Sequence, residues 1–221
     1  MKARMKKRST LLEEKYPRSE PTPLPIGPGK WGAKVISEVA NPLLVALPTF
    51  LLVALATAPD VLHALLWWGI AVLGISLAPL LFIWQGVRRG RYSDHHVSKR
   101  EQRRVPLLFG LACMVLAFVL LLFLHASLPL LATVTATLVA VAVAAVITQY
   151  WKISLHLVGI AGAVTVCCLL WGPLCLFLSP LVVLVGWARW RLHAHTWFQA
   201  LAGTILAVSV TLLMYRLFGL V

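Results

Sequence analysis

Residues 107–124 read LLFGLACMVLAFVLLLFL, with no charged side chain anywhere in the run. A hydrocarbon core of ~30 Å takes about 20 apolar residues to cross as a helix, so this stretch has the length and chemistry of a transmembrane span. Working outward, comparable runs lie near 40–58, 64–86, 129–148, 155–171, 173–187 and 197–218. Pro48 and Pro79 fall inside the first two, where membrane helices tolerate proline. Residues 132–146 (ATVTATLVAVAVAAV) are small or β-branched and suit close helix approach. The runs 155–171 and 173–187 are short and read either as spans that tilt little or as a tight hairpin turning at Trp171-Gly172-Pro173. The whole chain agrees. It is 60% hydrophobic and 12% charged, whereas a soluble domain carries roughly 45–50% apolar and about 25% charged residues. The expected fold is all-α, a polytopic transmembrane bundle of about seven spans.

The charge is unevenly spread. Net charge is +13, and a pI near 10.3 invites a nucleic-acid reading. The basic residues, however, sit where membrane loops would be. With seven spans, residues 1–38, 87–106, 149–154 and 188–196 share one side, and of the 20 Lys and Arg only Arg216 falls on the other. The positive-inside rule places that side in the cytoplasm and the C-terminus outside. No nucleic-acid partner is expected.

Residues 1–38 read as a cytoplasmic basic and Pro-rich tail, and 39–221 as the transmembrane domain. Residues 1–16 lack the apolar core of a cleavable signal peptide, and 17–28 form a proline-rich linker. Lys30 to Val39 reads as a short interfacial helix or as a disordered basic flank. Cys113, Cys167, Cys168 and Cys175 all lie in apolar runs and read as small buried hydrophobes.

Three polar clusters remain, all on the basic side. The first is Arg91 to Pro106, which contains Asp94, His95, His96, Lys99, Arg100, Glu101, Arg103 and Arg104. The second is Lys152-Ile153-Ser154-Leu155-His156. The third runs from Arg189 to Gln199 and holds Arg191, His193 and His195. Each is separated from the next by a two-helix hairpin, so all three can converge at one mouth of the bundle. Guanidiniums fork onto phosphate oxygens, helix N-termini add N–H donors, and two histidines can divide attack from protonation. Asp94, His95 and His96 are adjacent and point in different directions, so no metal is expected, and no other cofactor.

The same residues carry a resemblance. Ala188-Arg189, five residues, His195, three residues and Gln199 resemble the SRxxxxxHxxxD motif of the type 2 phosphatidic-acid phosphatase superfamily. Ile153-Ser154-Leu155-His156 is similar to its PSGH motif, and the basic run ending at Val105-Pro106 is similar to KxxxxxxRP. The likeness covers roughly residues 65–215 and points to a divergent prokaryotic branch, hence a plasma-membrane protein with a six-helix core. It implies a metal-independent lipid phosphatase or phosphotransferase acting on a prenyl or glycerolipid phosphate or diphosphate, with membrane lipids around it. By matching position, His195 is the phosphohistidine-forming nucleophile, His156 the general acid, Arg189 a phosphate clamp and Ser154 a phosphate donor. Arg100 and Arg103 complete the phosphate site, supported by Lys99 and Arg104. The chain departs from the motif at Gln199, which replaces the aspartate that orients the nucleophile. Its amide oxygen can still accept from the ring N–H but brings no charge, and Asp94 or Glu101 would have to replace the missing acid.

Plainer readings stand beside these. Thr196 to Gln199 also fits a helix capping box. His193, His63 and His125 fit interfacial positions, and residues 88–104 fit a cytoplasmic anchor or anionic-lipid contact. The rival function is a non-catalytic membrane lipid-binding or transport protein that keeps a basic phosphate pocket.

Overall fold

A computed structural model of the chain describes residues 28–92 and 104–221. Among the described residues every regular element is helical. In chain order these are α1 (Pro28–Val39), α2 (Pro42–Thr57), α3 (Val61–Val72), a π-helical turn (Leu73–Leu77), α4 (Ala78–Arg88), α5 (Arg104–Phe123) and α6 (Leu128–Tyr150). They are followed by α7 (Leu155–Trp171), a 3-10 turn (Pro173–Leu178), α8 (Ser179–Arg191) and α9 (Trp197–Leu217).

Each apolar run of the sequence forms helix, but the helices differ in reach. Five are long and apolar enough to cross a membrane: Val61–Arg88, Val105–Phe123, Leu128–Tyr150, Pro173–Arg191 and Trp197–Leu217. A sixth results if α1 and α2, bent by 47° at their junction, are counted as one broken span. The 17 residues of α7 extend for only about 25 Å at 1.5 Å per residue. The expected count of seven therefore compares with five or six by length.

Local chemistry explains the breaks. Pro79 has no N–H to donate, and its ring crowds the carbonyl four residues back at Ile75, inside the π turn. A widened turn relieves that clash, so Val61–Arg88 continues through Pro79. Gly74, in the same turn, faces α5 closely. A Cβ there would stand 2.5 Å from Ala117 Cβ and 2.8 Å from the Cys113 carbonyl oxygen. Ser76 adds a cross-helix bond, its hydroxyl donating to the Leu43 carbonyl at 3.0 Å. At Gly172, φ is +87°, a conformation open to glycine at little cost, and the chain reverses there into Pro173.

Three apolar clusters tie the bundle together. Phe50, Trp67, Leu121 and Leu130 pack with Tyr215, whose hydroxyl lies 2.8 Å from Thr133 Oγ1. Ala136 and Ala140 of α6 meet Val158 and Ala161 of α7 and Ala207, Val210 and Met214 of α9. Without a hydrophobic drive inside lipid, such small residues gain their stability from close van der Waals contact. The third cluster joins Ala40, Leu157, Val185 and Ala200. It lies directly beneath the polar turn that links α8 to α9.

Candidate functional site

The turn between α8 and α9 is built by one backbone motif. Helix α8 closes with His193 N–H bonded to the Trp190 carbonyl (2.9 Å) and Ala194 N–H bonded to the Arg189 carbonyl (3.0 Å). This pair is a Schellman motif, whose left-handed position glycine usually takes. Here His193 takes it, with φ +53°. His195 N–H adds a longer bond to the same Arg189 carbonyl, at 3.3 Å. Trp190 and Trp197 stack across the turn with centroids 5.4 Å apart. The backbone between positions 189 and 195 is thus held closed.

Helix α9 begins at Thr196 with a complete capping box. Gln199 N–H donates to Thr196 Oγ1 (3.3 Å) and Thr196 N–H donates to Gln199 Oε1 (3.1 Å). The same Oε1 lies 3.2 Å from His195 Nδ1. Because the Thr196 N–H can only donate, the Gln199 atom it meets must be the oxygen. That oxygen can only accept, so Nδ1 must carry the proton, and a neutral His195 ring then holds its lone pair on Nε2. Capping and histidine orientation are therefore one arrangement.

The segment 152–156 docks onto this turn. Lys152 Nζ donates to the Ala194 carbonyl at 2.7 Å. Ser154 N–H reaches the Gln199 backbone carbonyl at 3.4 Å. One turn further along α9, a Cβ on Gly203 would stand 2.7 Å from the Ser154 carbonyl oxygen. The Ser154 backbone thus straddles a single turn of α9. Ser154 is fully buried and N-caps α7 without a side-chain cap bond. Its Oγ has no hydrogen-bond partner among the described residues, a state that costs about 1–3 kcal/mol for a buried hydroxyl. His156, half-buried, is the second residue of α7.

Arg189 points toward α1. Its Nη1 donates to Ser37 Oγ at 2.7 Å. Its Nε is buried with no partner among the described residues. Two polar atoms of the expected phosphate site, Ser154 Oγ and Arg189 Nε, are therefore buried and unsatisfied.

The second and third polar clusters of the sequence are brought together. Asp94, Lys99, Arg100, Glu101 and Arg103 of the first lie outside the described residues, as do His95 and His96, and Arg104 opens α5. Sequence reading placed Lys152 in the second cluster without assigning it a role, and did not single out Ser37. Their contacts, with Ala194 and with Arg189, span long separations that local spacing does not reveal. Among the described residues no three His, Cys, Asp or Glu side chains gather as a metal would require.

Comparison with protein-family profiles, curated proteins and solved structures finds no match to this chain. Among the described residues the protein is all-helical, with five or six helices long and apolar enough to cross a membrane, consistent with an integral membrane protein.

Proposed function

We propose that the chain is a divergent member of the type 2 phosphatidic-acid phosphatase superfamily. It would hydrolyse, or transfer phosphate from, a prenyl or glycerolipid phosphate or diphosphate. In this reading seven spans cross a prokaryotic plasma membrane with the basic loops cytoplasmic, and α7 and α2 are its shortest crossings. The observation that carries the reading is the shared Gln199 oxygen, which directs the His195 proton to Nδ1 and puts the lone pair of the neutral ring on Nε2, the nitrogen a histidine nucleophile would use.

The chemistry follows from that tautomer. His195 Nε2 attacks phosphorus, the bond from phosphorus to the leaving oxygen breaks, and His156 protonates that oxygen. Water then attacks the phosphohistidine, giving its proton to His156, and His195 regains its lone pair as phosphate leaves. Arg189, Arg100 and Arg103 hold the phosphoryl oxygens, with Lys99 and Arg104 in support. Ser154 Oγ–H and Arg189 Nε–H are donors without protein acceptors among the described residues, and a phosphate group supplies acceptors of that kind. The formal negative charge of the motif aspartate is missing at Gln199, so Asp94 or Glu101 is its replacement, or turnover is slow.

The test is phosphate release from a panel of prenyl and glycerolipid phosphates, with EDTA present. His195→Ala and Arg189→Ala should abolish it. Equal release by wild type and His195→Ala would falsify the enzymatic reading.

A further inference from the structure

Helix α1 lies against α8 through one face. Ala33 and Ser37 are buried, as is Ala40 just beyond the helix end, while Trp31, Val35 and Val39 on the other side are exposed. Ile36 packs beside Ala40 on the cluster formed with Leu157, Val185 and Ala200. Spacings of three and four residues along a helix give such a face. Ser37 is the polar member of it, only 4% exposed, and it meets Arg189 Nη1 at 2.7 Å.

A guanidinium offers its donors along defined edges. Nη1 lies on the same side as Cδ, whereas Nε and Nη2 form the side-on fork that grips two oxygens of a carboxylate or phosphate. Ser37 occupies the Nη1 side. The Nε of the fork edge is buried and has no partner among the described residues. A long arginine side chain has many rotamers, and a buried acceptor on one nitrogen removes most of that freedom before a ligand arrives.

We infer that Ser37 is a positioning residue. By holding Nη1 it turns the Nε–Nη2 edge of Arg189 toward the phosphoryl group, which makes α1 part of the site. This rests on the phosphate-handling role proposed for Arg189.

The experiment uses the full chain in detergent with farnesyl phosphate, comparing wild type, Ser37→Ala, Ser37→Thr, Arg189→Lys and the Ser37→Ala/Arg189→Lys double variant. Loss of the positioning bond should lower kcat/KM about tenfold, and threonine should restore it to within about twofold. On the Arg189→Lys background, which lacks the fork, Ser37→Ala should cost nothing further. A second readout needs no turnover: the shifts in melting temperature of Ser37→Ala and Arg189→Lys should be non-additive. Wild-type turnover together with an undiminished Ser37→Ala, or with a Ser37→Ala loss that simply adds to that of Arg189→Lys, overturns the inference and leaves the proposed function standing. No turnover in any variant, with the melting shifts still coupled, overturns the function and the positioning role with it, while the contact survives.

Discussion

The carbonyl oxygen of Ser154 stands 2.7 Å from where a Cβ on Gly203 would project, so α9 passes the start of α7 with no space for a side chain. The obstructing atom belongs to the backbone, and it cannot rotate aside as a flexible side chain would. Gly203→Ala should therefore separate α7 from α9 at the level of His156 and His195. We expect a loss of about 1–3 kcal/mol in stability, read as a lower melting temperature in detergent, together with impaired phosphate release. An unchanged melting temperature would show that the two helices part easily there.

Gln199 has two jobs that substitution can separate. Gln199→Glu retains the capping-box geometry and places a carboxylate where the amide oxygen now faces His195 Nδ1. In the proposed phosphatase reaction that charge would stabilise the histidine cation. In the Ser-His-Asp triad, replacing the carboxylate by an amide lowers kcat by about 10⁴. Gln199→Glu should thus raise the rate by at least about tenfold, with little change in melting temperature, while Gln199→Ala should lower both. A rate indifferent to glutamate would reduce Gln199 to a helix cap.

His193 holds a left-handed backbone conformation at φ +53°. Such a conformation costs a non-glycine residue roughly 1–2 kcal/mol, and its side chain is exposed. His193→Gly should stabilise the protein by up to about 1 kcal/mol and leave phosphate release unchanged. A marked loss of activity in that variant would mean that the His193 imidazole takes part in the chemistry.

At the other end of the bundle, Asp60 caps α3, accepting from His63 N–H at 2.9 Å and meeting His63 Nδ1 at 2.7 Å. The His63 backbone N–H, followed by its ring, holds the Asp60 carboxyl below its ordinary value of 3.8. A depressed folded value means that the stabilisation is complete above the unfolded value and is lost as pH falls through the folded one. Asp60→Asn should accordingly melt below wild type at neutral pH. The two should converge once the pH falls below the folded value of Asp60. A gap that persists in acid would assign the effect to packing.

Orientation has its own measurement. In a cysteine-free background, a single cysteine at position 96 should be shielded from an impermeant reagent added outside intact cells, whereas one at Val221 should react. Labelling at 96 would reverse the topology inferred from the charge bias.

Much of the fold was legible in sequence because a bilayer leaves the backbone few options. An apolar run must satisfy its N–H and C=O groups internally, so each run became helix at nearly the expected limits. The helix count by length is five or six because α7 is short, as its apolar run already was in the sequence, and because α1 meets α2 at a 47° bend, which composition does not encode. The capping box at Thr196 was readable for the same local reason, since its partners are three residues apart.

The sequence alone determined the helices, the polar turn between α8 and α9 and the cap that begins α9, since these depend on neighbours along the chain. Only the tertiary structure decided what those elements meet: Arg189 with Ser37, Lys152 with Ala194, and Ser154 against Gln199 and Gly203. Those pairings depend on which helix faces approach and how closely, and small residues such as Gly203 permit the approach without naming the partner.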